Sequence, residues 1–296
     1  MPTPALVISF ITAFVSLQTL PPDPNAVLAA ARTALGGEAR LSAVKTIVAT
    51  GRTRQVRGDN LVPIEFEIDI ELPDKYLRKD EVPAQESGPT TTGFDGDNLL
   101  EPANPPPAGR RGGPPPPTPE QLEAGRRVRA VGVKQDFARL MLGLFATSFS
   151  SYPLTFTYVG EAEAPQGRAD VLEAKGAPNL TLRLFVYKDT HLPVMITWQG
   201  QAPGAGRGPG PGRGQGPGAP PVPVVPGAGP AARGPLPAPP PQPENRIYFA
   251  DYRDVDGLKL PFRLRRAVGQ DTVEETTFDR FRINAKIDPK KFGVPK

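Results

Sequence analysis

Between Val62 and Leu72 the chain alternates without a lapse: Val62, Ile64, Phe66, Ile68, Ile70 and Leu72 are apolar, and Pro63, Glu65, Glu67, Asp69 and Glu71 lie between them. Successive side chains of a strand point to opposite faces, so this stretch has one apolar face and one acidic face. That pattern belongs to an antiparallel sheet covered on one side only. Each large apolar side chain contributes roughly 1.5–3 kcal/mol when fully buried, and a one-residue slip would expose the whole set. The register of this strand therefore fixes itself. Calcium ligation needs oxygen ligands clustered in one place, so the alternating carboxylates read as a solvated face instead.

Period-two runs recur along the chain. Val44–Gln55, Lys75–Val82, Thr90–Leu100 (bent at Asp95-Gly96), Leu154–Glu163, Arg168–Lys175, Leu180–Lys188, Leu192–Trp198 and Thr272–Ile283 read as strands separated by turn residues. Arg246–Leu264 reads as a hairpin about Asp256-Gly257, a dipeptide suited to the positive φ angles of a type I′ turn. In its second arm Leu258, Leu260, Phe262 and Leu264 share one face against Lys259, Arg263 and Arg265. This gives about eleven strands, more than a flat sheet holds, so the expected fold is α+β: an antiparallel sheet that curls around the helices.

Two helices are expected. Asp23 and Pro24 supply an N-cap and a first-turn proline, Val27, Leu28, Ala31 and Leu35 share a face, and Gly36-Gly37 ends the run, with a further turn over Glu38–Ala43. Thr118-Pro119-Glu120-Gln121 is a capping-box start, and Phe137, Leu140, Met141, Leu144 and Phe145 follow at helical spacing. Gly125 and Gly132 are expected to divide that helix.

Of the 296 residues, 40 are proline and 31 glycine, and they cluster. Residues 200–244 hold 15 Pro and 12 Gly, and 102–117 form a second cluster. Such composition buries too little apolar surface to pack, so both read as excursions from a single domain spanning 21–296. A four-residue loop lengthened to ~45 residues costs only about 2 kcal/mol more to close, which the fold tolerates. Glycines near Gly204 fall at dinucleotide-motif spacing, but no strand leads in and no helix follows. Residues Ala5–Leu20 are uncharged and apolar, too short for a bilayer span and suited to a secretory signal, so residues 1–20 are read as an export signal and the mature chain as periplasmic, peripheral to a membrane at most.

Several chemistries are excluded. The chain has no Cys and one His, which removes disulfides, thiolate nucleophiles and His-rich metal centres. The net charge of +4 is modest and forms no basic stripe, so nucleic acid is not expected as a partner. No nucleophile-elbow, zincin or P-loop motif occurs, no cofactor is implied, and the chain is expected not to be an enzyme. His191, in Thr190-His191-Leu192-Pro193 between two strands, reads as a turn residue. Asn179-Leu180-Thr181 matches a glycosylation sequon that only context gives meaning.

Short motifs carry a resemblance. The helix ending A-L-G-G before L-S-A-V-K-T-I, then P-D-K-Y-L-R and F-D-G-D-N-L, resembles the start of the outer-membrane lipoprotein-sorting family, with its LolA/LolB-type fold. G-R-A-D-V-L-E, Y-K-D-T-H-L-P-V, D-Y-R-D-V-D-G-L-K-L-P-F and N-A-K-I-D-P-K-K-F are similar to the second half of the same family, especially its uncharacterised periplasmic members. The resemblance implies a strongly curved, unclosed antiparallel half-barrel of about eleven strands with helices packed on its concave face, and between them an apolar cavity that in characterised relatives accepts the acyl chains of lipoproteins. Without the Cys of a lipid-anchored receptor form, the soluble carrier form is the nearer comparison. The two proline-rich segments depart from the family pattern.

The expected function is thus an exported carrier or binding protein for a lipid or acylated protein. The candidate lining is Ile64, Phe66, Ile68, Ile70, Phe137, Met141, Leu144, Phe145, Trp198 and Phe262. An ordinary helix-on-sheet core explains these residues equally well. The alternative is a non-catalytic cell-envelope scaffold whose proline-rich loops bind protein partners.

Overall fold

The computed structural model describes residues 22–83, 88–101, 117–164, 166–200 and 242–293. The apolar run Ala5–Leu20 and nearly all of the two proline-rich segments lie outside these residues.

The chain opens with α1 (Pro24–Ala34) and α2 (Glu38–Ala43), then β1 (Thr46–Arg57), β2 (Asn60–Glu71), β3 (Lys75–Glu81), β4 (Thr90–Asp95) and β5 (Asn98–Leu100). The long helix α3 (Pro119–Phe145) follows. After it come β6 (Thr155–Ala164), β7 (Gly167–Gly176), β8 (Leu180–Tyr187), β9 (Pro193–Gln199), β10 (Glu244–Val255), β11 (Leu258–Val268) and β12 (Asp271–Ile283), and a 3-10 turn over Pro289–Phe292. All pairings are antiparallel, in the order β5-β4-β3-β2-β1-β12-β11-β10-β9-β8-β7-β6. Every neighbour is consecutive in sequence except β1 and β12. The edges β5 and β6 do not pair, so the sheet is not closed.

Among the described residues twelve strands stand where about eleven were expected. Gly96, at φ 57, turns the Thr90–Leu100 run back on itself, and Asn98 pairs with Asp95. What reads as one bent strand is a small hairpin.

The sheet curls around α3. Phe137 packs its ring on Phe94 of β4 at 5.3 Å, while Gly143 faces Phe249 of β10. Those helical residues span about 9 Å, whereas β4 and β10 are six strand spacings apart, about 29 Å across a flat sheet. Only a curved sheet brings both strands to one short piece of helix. An added Cβ at Gly143 would stand 2.0 Å from Phe249, so the close approach requires glycine there.

The expected starts of the helices are present. Asp23 accepts from Asn25 N at 3.0 Å, and Thr118 and Gln121 exchange their reciprocal bonds at 2.9 and 3.2 Å. The expected division of α3 is corrected: it runs unbroken through Gly125 and Gly132. Its last turns, from Phe137, are buried and hold the helix on the sheet, while its first turns are exposed, and the stretch between is tied down by Arg129 to Glu101 (2.7 Å), Lys134 to Asp97 (2.8 Å) and Gln135 to Tyr152 Oη and Pro178 O (each 3.1 Å).

The β10–β11 hairpin turns on Asp256 (φ 54) and Gly257 (φ 79), as its sequence predicts. Its tip parts from both neighbours. Pairing with β9 ends at Tyr248–Met195, and pairing with β12 ends at Arg263–Thr277. Beyond that point Asp251 takes φ 55 and Tyr252 Oη donates to Pro193 O at 2.7 Å. The tip meets α1, where Lys259 N donates to Leu35 O at 2.8 Å, and Leu258, Leu260 and Phe262 join the core.

The acidic face of β2 is only partly solvated, which corrects the sequence reading. Asp69 is buried, because the C-terminal segment packs over the outer face of β1 and β3, with Ile287 and Phe292 against Val48 and Leu77. Lys291 Nζ donates to Glu67 Oε1 and Asp69 Oδ2, both at 2.7 Å.

Candidate ligand-binding cavity

A cavity of about 310 Å3 lies between α3 and the inner face of the sheet. It forms beside the stretch where α3 passes from buried to exposed. Val133, Asp136 and Leu140, at i, i+3 and i+7, present one helical stripe across it. Ile64 and Ile68 of β2, Leu264 of β11 and Phe278 of β12 complete an apolar wall.

The remaining wall is charged. Arg57, Arg78, Asp80, Asp136, Arg266 and Glu274 all border the space. Arg78 Nε donates to Asp80 Oδ1 at 2.7 Å, its Nη2 reaches Thr53 Oγ1 at 3.4 Å, and its guanidinium carbon stands 4.8 Å from the Phe66 ring centroid. Burial opposes the Arg78 charge, but Asp80 together with Tyr76 and Glu274 outweighs it and the pKa is raised. Thr53 and Thr276 share a buried hydroxyl–hydroxyl bond of 2.9 Å. Behind the wall Arg139 donates to Asp136 Oδ1 at 2.7 Å and stacks on Trp198 at 4.3 Å. Burial pushes the Tyr76 hydroxyl well above the usual phenol range.

Of the ten residues expected to line a lipid site, Ile64 and Ile68 border this cavity. Phe66, Ile70, Phe137, Met141, Leu144, Phe145, Trp198 and Phe262 lie in the packed core, where Phe137, Met141, Leu144 and Phe145 fill the space between helix and sheet. The sequence reading missed the polar members Arg78, Asp80, Asp136, Arg266 and Glu274. One signal was present: Arg266 continues the parity of Leu258, Leu260, Phe262 and Leu264 on the apolar face.

A second concavity, about 480 Å3, occupies the cleft where the β10–β11 hairpin parts from β9, with Leu192, Val194, Tyr248 and Tyr252 on its walls. It lies beside Asp251, a non-glycine residue at positive φ that alternation does not reveal, where the β10–β11 pairing is interrupted without a change of register. His191, at φ 57, donates its backbone N–H to Tyr187 O at 2.9 Å and forms the turn between β8 and β9. Among the described residues no group of carboxylates or His is placed to hold a metal ion, and no helix is long and apolar enough to cross a membrane.

Neither a family model nor a curated protein sequence matches this chain. Its structure is similar to a LolA superfamily protein from Nitrosomonas europaea, at 10% identity and a TM-score of 0.49, covering 92% of this chain and 97% of that one. It is also similar to a putative outer membrane lipoprotein-sorting protein domain from Vibrio parahaemolyticus, at 9% identity and TM-score 0.47, with 92% and 97% covered. A third similar structure is a DUF1329 family protein from Desulfovibrio piger, at 9% identity and TM-score 0.42, with 92% and 98% covered. The first two bear the name of the family that the short sequence motifs resemble.

Proposed function

We propose that this chain is an exported, non-enzymatic carrier that shelters an acyl chain, of a lipid or of an acylated protein, between α3 and the inner face of the sheet. The observation that carries this reading is the 310 Å3 cavity, apolar along Ile64, Ile68, Leu140, Leu264 and Phe278 and charged along its other wall. Ligand sites of about 300–1,000 Å3 combine an apolar lining with a few placed polar groups. Each buried methylene contributes about 0.8 kcal/mol, so burial alone can hold a chain without directed bonds along its length. Export rests on the apolar run Ala5–Leu20. A mature N-terminus beyond residue 20 in the exported fraction supports it, and one retaining Met1 defeats the cleaved signal.

Native mass spectrometry of the gently purified protein should show co-purified lipid. The delipidated protein should bind a fluorescent acyl probe, and Ile68→Trp, which fills the cavity, should weaken that binding at least tenfold. Failure of the wild-type protein to carry lipid or bind the probe overturns the reading. The envelope-scaffold alternative rests on residues 200–244, and no observation among the described residues favours it. Deleting 201–241 tests it: loss of partner capture with unchanged probe binding is the result that supports it.

A further inference from the structure

The cavity wall carries one cation whose surroundings leave it without an acceptor. Nε and Nη2 of Arg266 are buried and make no hydrogen bond among the described residues. Its cross-strand neighbour is Glu274, yet that carboxylate accepts from Gln55 Nε2 and Thr276 Oγ1, each at 3.4 Å. The other two carboxylates on the wall are engaged, Asp80 by Arg78 and Asp136 by Arg139, each at 2.7 Å.

A second guanidinium lies close behind. The Arg139 side chain is only 5% exposed, and its Nε is likewise buried without an acceptor. Both arginines address Trp198, their guanidinium carbons 4.3 Å (Arg139) and 5.6 Å (Arg266) from the ring. Burial first, and then the Arg266 charge, holds the Arg139 pKa below the usual guanidinium range, although Asp136 opposes the shift. Arg139 has one carboxylate partner, Asp136, and the buried Nε–Nη2 edge of Arg266 has none among the described residues, an arrangement that an added anion relieves.

The shape of the vacancy in hydrogen bonding selects the anion. Nε–H and Nη2–H project from one edge of the planar guanidinium, and two parallel donors match the two oxygens of a carboxylate. Charges on the wall balance, with Arg57, Arg78 and Arg266 against Asp80, Asp136 and Glu274, so the surroundings suit a single negative charge better than a doubly charged phosphate monoester.

We propose that Arg266, backed by Arg139 and Trp198, is the headgroup site of this cavity and binds the carboxylate of a free fatty acid, whose chain lies along Ile64, Ile68, Leu264 and Phe278. The inference rests on the acyl-carrier reading and adds to it a ligand class.

The test is displacement of a fluorescent acyl probe from delipidated full-length protein by dodecanoate, dodecanol and dodecyl phosphate. Dodecanoate is expected to compete at least about tenfold better than dodecanol, the scale of a charge-assisted bidentate pair. Arg266→Gln should bring the acid down to the level of the alcohol while leaving the alcohol within about twofold. Arg266→Lys, which keeps the charge and loses the fork, should fall between, with circular dichroism confirming that each variant is folded. Equal competition by acid and alcohol in the wild-type protein overturns the headgroup site while the carrier reading stands, and needs no variant to fold. Retention of the acid preference in Arg266→Gln also overturns it, as does tighter binding of the phosphate than of the acid. If neither probe nor competitor binds, the carrier reading fails and this proposal falls with it.

Discussion

Gly132 and Gly143 both lie within α3, and they answer opposite needs. A Cβ at Gly132 would meet nothing within 4 Å, so Gly132→Ala should stabilise the protein by up to about 1 kcal/mol through helix propensity. At Gly143 a Cβ would meet the Phe249 ring at 2.0 Å, and Gly143→Ala should destabilise by about 1–3 kcal/mol through overpacking. Denaturant unfolding of the two variants checks both signs. Glu38 offers a second residue-scale outcome. Hydrogen bonds from Arg32 and Ser42 lower its pKa to about 2 from 4.5. A carboxylate depressed on folding adds stability above its unfolded pKa and loses it as pH falls through the folded value, here between about 4.5 and 2. The side chain is exposed, so the gain is small, but an NMR titration should place its midpoint near 2 and return it toward 4.5 in Arg32→Ala. At this scale the apolar core was legible, because alternation and helical spacing announce it. The charged wall was not. Arg266 and Arg139 sit at positions whose neighbours in the pattern are apolar, and only the curl of the sheet brings them to one tryptophan.

Among the elements, the C-terminal turn over Pro289–Phe292 holds more than its length suggests. Lys291 bridges Glu67 and Asp69 across the outer face of β2. Its hydrogen bond lowers the Glu67 pKa, whereas burial raises that of Asp69. The signs oppose: acid removes stability as Glu67 protonates below its unfolded pKa, while a protonated Asp69 relieves the cost of a buried charge. Mild acid should therefore leave the turn in place. Lys291→Met should detach it, destabilising by about 1–2 kcal/mol because the ammonium is partly exposed and screened. Adding Asp69→Asn should restore part of the loss, and hydrogen exchange at Val48 and Leu77 should report the detachment. Strands, caps and the Asp256-Gly257 turn were readable from local chemistry. The parting of the hairpin tip was not, since it depends on α1 offering Leu35 O to Lys259 and on the positive φ of Asp251.

For the whole molecule, the long connection between β9 and β10 joins two strands that are already neighbours. Asn245 Nδ2 donates to Gly200 O at 2.5 Å, and Gly200 N to Pro243 O at 3.4 Å, so the two ends meet at the sheet. Replacing residues 201–241 by a short turn should preserve the fold and raise stability by up to about 2 kcal/mol, the loop-closure difference, as a shift in the denaturation midpoint at unchanged slope. The pairing of β1 with β12 sets a different constraint, one of time. The first and last strands form the central seam, and the first-made strands β1–β5 gain their sheet contact with β6–β11 only through β12. A ribosome delivers β12 after the other eleven strands, so the growing chain carries an open strand edge along β1 until all of them have been made. The seam thus postpones completion of the sheet, and a chain threaded through a membrane as it is synthesised would reach the far side before its fold could close.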